Sequence, residues 1–255
     1  MALLEIARVE KRFGNLTAVK NLDLNVAAGA IAGVIGPNGA GKSTVFNLIT
    51  GVYRPDAGEV RFEGSRIDGR PTYRVARRGI ARTFQNLRLF GHLDAVENVL
   101  IGEHGKLRAN AFDSLLHVPR ERREELAARE RAIDLLAFVG LRDVGSQFAR
   151  NLSYGSQRRL EIARALAGDP RLLLLDEPAA GMNPTEKGSL VDLIHAIRDR
   201  GVTVILIEHD MGLVMQLCET IAVLDYGEKI AEGDPASIRS NARVIEAYLG
   251  VEAPA

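Results

Sequence analysis

A single cysteine, Cys218, occurs in 255 residues. No intrachain disulfide can form, which fits a reducing compartment. Excess charge is missing too: Lys+Arg and Asp+Glu are both 33, for a formal net charge of +0. That balance gives no support to nucleic acid or acidic lipid as a partner, because either calls for a local basic cluster. Long apolar runs are absent. Runs such as 172–175 and 202–207 are strand-sized, far short of the roughly 20 residues that cross a bilayer as a helix. Glu5 interrupts the N-terminus before an apolar stretch can build, which argues against a signal peptide. There are no internal repeats and no low-complexity segment. The expectation is a cytosolic chain that something else holds wherever it works at a membrane.

What is present is an alternation of strand and helix patterns. Residues 3–9, 18–26 and 31–35 alternate apolar and polar positions, separated by Gly14-Asn15 and Ala28-Gly29, and read as partly antiparallel strands. Pro55-Asp56-Ala57-Gly58 is a turn, and a hairpin around Glu63-Gly64 joins 59–62 to 66–67. From about 93 to 141 the strand pattern fades. Pro119 opens a charged helix, with Leu126, Ile133, Leu136 and Val139 recurring at helical spacing and Gly140 as its stop. Its charge run reads as a solvated face, with Glu125 and Arg129 spaced as an i,i+4 pair. Helix (157–167), strand (172–175), helix (185–200) and strand (202–207) then follow. Such alternation with fully apolar strands implies βαβ units and a buried parallel sheet. The expected architecture is one α/β domain over 1–255. Its core comprises 1–87 and 161–255 with an N-terminal antiparallel β part, and a helical insert occupies 88–160.

The strand at 31–35 runs into GPNGAGKST, residues 36–44, and then into a helix. This is a complete G-x-x-x-x-G-K-[S/T] phosphate loop in the right context. Gly36, Gly39 and Gly41 let the backbone of Asn38, Ala40 and Thr44 fold tightly around an anion. The helix N-terminus adds partial positive charge and Lys42 a whole one. Ser43 carries the hydroxyl expected on Mg²⁺. A second apolar strand ends in Asp176-Glu177-Pro178. Ligands of a parallel sheet gather beyond its C-terminal strand ends, so these acids emerge where the phosphate loop does. Asp176 suits Mg²⁺, and Glu177 suits a general base on the attacking water; solvent-facing strand caps are the plain alternative. The strand at 202–207 repeats the design and ends near His209, either a structural histidine or a donor to the γ-phosphate and the water. Gln85, where the core passes into the helical block, has an amide that could touch Mg²⁺ or water. Phe13, in EKRFG, could stack on an adenine or simply pack.

In LSYGSQRR, 152–159, Ser153 and Gly155 precede a helix whose first N–H groups lack partners. Such an end is either a plain N-cap by Ser153 or a place for an anion, and the two are compatible.

Taken in order, GPNGAGKST, Gln85, LSYGSQ, LLLLDEP and His209 resemble the nucleotide-binding subunit of an ATP-binding cassette (ABC) transporter. The resemblance covers nearly the whole chain. It implies a P-loop NTPase fold, ATP and Mg²⁺ as cofactors, and Ser43, Gln85 and Asp176 around the metal. It also implies that Ser153 and Gly155 act in trans, on ATP held by the phosphate loop of a second ATPase subunit. ARTFQNLRLFGHLDAVENVL, LSYGSQRRLEIARAL, DEPAAGMNPTE and the C-terminal VIEAYLG are similar to one of the two ATPase subunits of branched-chain amino acid importers (LivG-type). That implies two membrane permease subunits, docked near Gln85 and the RLFGH segment, and indirectly a substrate-binding protein. Nucleic acid is not expected, and the chain would sit on the inner face of the cell membrane through the permeases. Two other readings stay open: a soluble cassette ATPase uncoupled from transport, and a non-hydrolysing nucleotide sensor. The chain departs from the family pattern at Tyr154 and Ser156, which replace a glycine and a glutamine of the signature, and at Asn183, where an aspartate is usual.

Overall fold

A computed structural model of the protein describes residues 2–103 and 119–249. The chain divides into two compact units. The first takes in the chain up to Arg82, Arg171–Ala180, and the stretch from Pro184 on. The second is Thr83–Pro170 with Gly181–Asn183.

The first unit is built on two sheets. β1 (Ala2–Phe13), β2 (Leu16–Ala27), β4 (Ala57–Phe62) and β5 (Ser65–Arg66) form an antiparallel sheet in the order β2-β1-β4-β5. Along β2, Leu22, Leu24 and Val26 are buried and the residues between them are exposed, as a one-sided sheet requires. The second sheet has the order β10-β9-β3-β8-β7-β6. Its members β3 (Ile31–Ile35), β6 (Ile80–Arg82), β7 (Leu172–Asp176), β8 (Thr203–Ile207) and β9 (Thr220–Asp225) are parallel, and β10 (Glu228–Gly233) pairs antiparallel with β9. Every residue of β3, β7 and β8 is buried, which accounts for their apolar runs, broken only by Thr203 at the start of β8 and Asp176 at the end of β7. Helix α1 (Lys42–Ile49) sends Val45, Phe46, Leu48 and Ile49 into a core shared with Leu4 and Val26 of one sheet and Leu174 and Ile205 of the other. Each such side chain is worth roughly 1.5–3 kcal/mol when buried. Register then positions the site: Ile207 lies opposite both Val34 and Asp176, so β3, β8 and β7 end level. A short helix, α2 (Thr72–Ala76), precedes β6.

In the second unit, α3 (Ala95–Glu103) opens with a reciprocal cap. Asp94 Oδ1 accepts from the Glu97 N–H, and Glu97 Oε2 accepts from the Asp94 N–H, both at 2.8 Å. Buried Asn98 pins the segment before it, accepting from the Phe90 N–H at 2.9 Å and donating to the Phe90 carbonyl at 3.1 Å. Helix α4 (Pro119–Phe138) buries Ala128, Ala132 and Leu136, with Val139 just beyond. The expected apolar stripe is therefore only half right: Leu126 is 63% exposed and Ile133 44%. Alanines at i and i+4 make the buried face, and reading by the larger apolar residues picks the wrong side. The described charged residues of α4 are exposed, and one of them, Arg131, also donates through Nε to buried Glu103 Oε1 of α3 at 2.8 Å. Helix α5 (Tyr154–Leu166) begins three residues earlier than the pattern suggests. It passes close to α3: a Cβ on Gly102 would lie 2.0 Å from the Arg164 carbonyl oxygen.

Back in the first unit, α6 (Pro184–Asp199), α7 (Met211–Leu217), α8 (Pro235–Arg239) and α9 (Ala242–Leu249) complete the fold. The VIEAYLG stretch ends at Gly250, outside the described residues.

Candidate active site

The loop 36–44 leaves β3 and enters α1 with glycines where no other residue fits. Gly36 has φ 148° and Gly41 φ 102°; a Cβ would lie 2.0 Å from the Leu224 oxygen at the first and 2.4 Å from the Ala18 oxygen at the second. Gly41 caps α1 without a side-chain hydrogen bond. The first N–H groups of the helix are thus left to whatever anion the loop receives. Asn38, Gly39 and Ser43 are exposed, Thr44 is half-buried and Ala40 is buried. Lys42 is buried and folds back over the loop, its Nζ donating to the carbonyls of Gly36 at 2.7 Å and Pro37 at 2.8 Å. Burial pulls its pKa down, opposed by the nearby charges of Glu177 and Asp176. The loop and the strand-end acids therefore share one electrostatic neighbourhood.

Asp176, the last residue of β7, is buried and receives Arg82 Nη2 on Oδ2 at 2.8 Å. Arg82, at the end of β6, also donates to Asn47 Oδ1 of α1 at 2.7 Å and lies over the Phe46 ring. Glu177 follows with a left-handed backbone, φ 49°, a conformation that costs energy for any residue but glycine. Its Oε1 lies 2.7 Å from Nε2 of His209, which stands two residues past β8. Buried Glu208 sits between them in the chain and accepts from the Ala179 N–H at 2.8 Å and the His209 N–H at 3.0 Å. Burial pushes the Glu208 carboxyl pKa up, against those backbone donors.

Among the described residues, no group of three or more His, Cys, Asp or Glu side chains is arranged to hold a metal by itself. The Asp176 carboxylate and the Ser43 hydroxyl offer hard oxygen donors. That set fits a Mg²⁺ ion, which takes its remaining ligands from phosphate and water. Phe13 is 41% exposed at the end of β1 and packs edge-on against Tyr53, ring centroids 5.1 Å apart.

Gln85, Ser153 and Gly155 belong to the second unit. Ser153 is the N-cap of α5, with Oγ accepting from the Ser156 N–H at 3.3 Å, so the capping reading holds. Gly155 is buried in the first turn. Tyr154 finds a setting here. Its ring lies over Gly181, where a Cβ would come within 3.1 Å of Cε1, and its hydroxyl accepts from Arg158 Nη2 at 3.0 Å. Buried Arg158 also donates to the carbonyls of Phe84 and Gln85 and pairs with buried Glu161. Exposed Asn183 stands just before α6.

Sequence reasoning missed the supporting residues Arg82, Glu208 and Arg158. No local spacing marks Arg82, whose partner Asp176 lies 94 positions away, and the local Tyr154 and Glu161 partners of Arg158 do not reveal its reach to Gln85, 73 positions away. Glu208 had a signal, an acid at a strand end beside His209, but its burial does not follow from spacing.

A parallel sheet with a phosphate loop, a carboxylate pair and a histidine at level strand ends defines a P-loop ATPase of the cassette type. The sequence pattern described as ABC transporter matches residues 19–180, and one described as branched-chain amino acid ATP-binding cassette transporter matches 228–254. The high-affinity branched-chain amino acid transport ATP-binding protein BraF of Pseudomonas aeruginosa is 47% identical over 97% of this chain and 98% of its own length. Its counterpart LivG of Escherichia coli K12 is 45% identical over the same shares. A solved nucleotide-free ATP-binding cassette from an ABC transporter superposes with a TM-score of 0.86 at 31% identity, covering 98% of this chain and 100% of that one. A cassette in its ADP conformation gives 0.85 at 31%, covering 98% and 99%. The chain belongs to the ABC transporter family, as one of its ATP-hydrolysing cassettes.

Proposed function

We propose that this chain is the ATP-hydrolysing subunit of an importer for branched-chain or related amino acids. It works on the inner face of the cell membrane through two permease subunits, with a substrate-binding protein delivering the amino acid. The observation that carries the hydrolytic part is the Glu177–His209 contact of 2.7 Å at the level ends of β7 and β8. The amino-acid part is supported by the names and coverage of BraF and LivG. Those relatives do not favour a soluble cassette uncoupled from transport. Among the described residues, no helix is long and apolar enough to cross a membrane, consistent with separate membrane subunits.

In this reading the 36–44 backbone and Lys42 hold the ATP phosphates. A phosphate oxygen takes the Lys42 donors now given to Gly36 and Pro37. Phe13 stacks on the adenine. Ser43 and Asp176, with Gln85 on family grounds, would hold a Mg²⁺ ion, which would supply positive charge to the phosphates. Glu177 orients the attacking water and accepts its proton, and His209 holds the water and γ-phosphate in line. Ser153 and the first N–H groups of α5 serve the ATP of a second ATPase subunit, identical or paralogous, so that two ATP molecules lie between the pair.

Uptake in vesicles tests this. The chain is assembled with its permeases and second ATPase and supplied with binding protein and internal ATP. Leucine, isoleucine or valine should accumulate, and Glu177→Gln should abolish accumulation while ATP still binds. ATP hydrolysis with no amino acid uptake would remove the transport assignment. Undiminished hydrolysis in Glu177→Gln would remove the base assignment.

A further inference from the structure

Glu208 lies outside the residues assigned above, yet its carboxylate holds the backbone of His209 and the backbone two residues past Glu177. Oε1 accepts from the Ala179 N–H at 2.8 Å, and Oε2 accepts from the His209 N–H at 3.0 Å and faces the Asp210 N–H at 3.5 Å. The side chain is buried, with 4% of the residue exposed. Ala179 is two residues past Glu177, whose backbone is left-handed and is tied on its other side by its own N–H to the Ile207 carbonyl at 2.9 Å. A non-glycine residue keeps φ 49° only where its surroundings over-determine it. Here the end of β8 does so twice, through the Ile207 carbonyl before the strained residue and the Glu208 carboxylate after it. The same carboxylate fixes the backbone of His209, whose ring meets Glu177. Downstream, Asp210 caps α7 through the Leu213 N–H at 3.2 Å and pairs with Lys187 of α6 at 2.5 Å, so the far side of the histidine is anchored as well.

We infer that Glu208 is a positioning residue for ATP hydrolysis: one buried carboxylate that sets the separation and direction of the Glu177–His209 pair. Its hydrogen-bond donors are backbone N–H groups, and it acts through the two backbones it grips. The inference rests on Glu177 being the base.

Glu208→Gln tests it, because the amide keeps the shape but offers only one acceptor oxygen to donors that now share two. Steady-state ATPase of the full chain in its assembled transporter should show kcat reduced by roughly tenfold or more, the scale of loss from small misplacements of reacting groups. KM for ATP and affinity for a fluorescent ATP analogue should stay within about twofold, since binding uses a different part of the site. In a Glu177→Gln background the second change should add no further loss, because the group being positioned is already gone. A kcat within about twofold of the parent, or an unchanged kcat with a raised KM, overturns the inference. So does full multiplication of the two losses. A purely structural residue would lower the melting temperature and leave kcat per folded molecule intact, and that outcome also overturns it. Should Glu177→Gln alone keep full activity, it is the base assignment that fails, and the single-variant kcat still judges Glu208.

Discussion

Glu177 and Lys42 show how much of a residue's role its surroundings create. A glutamate after an apolar strand is ordinary; one with φ 49° and an imidazole 2.7 Å from its carboxylate has the setting that the proposed base requires. Lys42 is buried and held by two loop carbonyls, so its charge is in place before phosphate arrives. Lys42→Ala should therefore act on binding. Saturating ATP should raise the melting temperature of the parent chain, corresponding to about 2.7 kcal/mol at one hundred times Kd, and that shift should vanish in the variant on a thermal scan. Arg82 acts on stability instead. It and Asp176 form an ion pair with side-chain exposures of only 8% and 5%. Arg82→Met strands a buried carboxylate, and denaturant unfolding should register a loss of about 3–5 kcal/mol.

At the scale of elements, α5 depends on its cap and on its closeness to α3. Ser153 caps it and points no competing charge at its N-terminus. Ser153→Arg places a bulky cation there, where the helix end favours anions. ATP should still bind the isolated chain, while ATP-dependent dimerisation, followed by light scattering, should be lost. Persistence of ATPase in the assembled complex would leave Ser153 as a cap alone. The close approach of α5 to α3 rests on Gly102, where a Cβ would collide with the Arg164 carbonyl oxygen. Gly102→Ala should push the helices apart and cost about 1–3 kcal/mol by equilibrium unfolding. The Tyr154–Arg158 contact gives the odd signature residue a definite place, joining the start of α5 to the carbonyls of Phe84 and Gln85.

For the whole molecule, the two units divide the reading between them. The sheets and the phosphate loop were legible because their signals are local: alternation in β2, unbroken apolar runs in β7 and β8, and glycines at loop positions. The acids and His209 were legible because strand ends of a parallel sheet converge. The α4 face was misread, since Ala128 and Ala132 pack where Leu126 and Ile133 were expected. Hydrophobic size is visible in a sequence, whereas the closeness of a neighbouring helix is not.

By itself the sequence determined the class of fold and the phosphate loop, and it marked the candidate catalytic side chains at the strand ends, because each signal lies in residues a few positions apart. Only the tertiary structure decided which groups hold those side chains in place. Arg82 on Asp176, Glu208 on the Ala179 backbone, and Arg158 on the Phe84 carbonyl are contacts of buried charged side chains with partners far along the chain. A buried polar group must find a partner wherever the chain happens to pass, and its identity follows from strand order and helix packing and not from spacing along the chain.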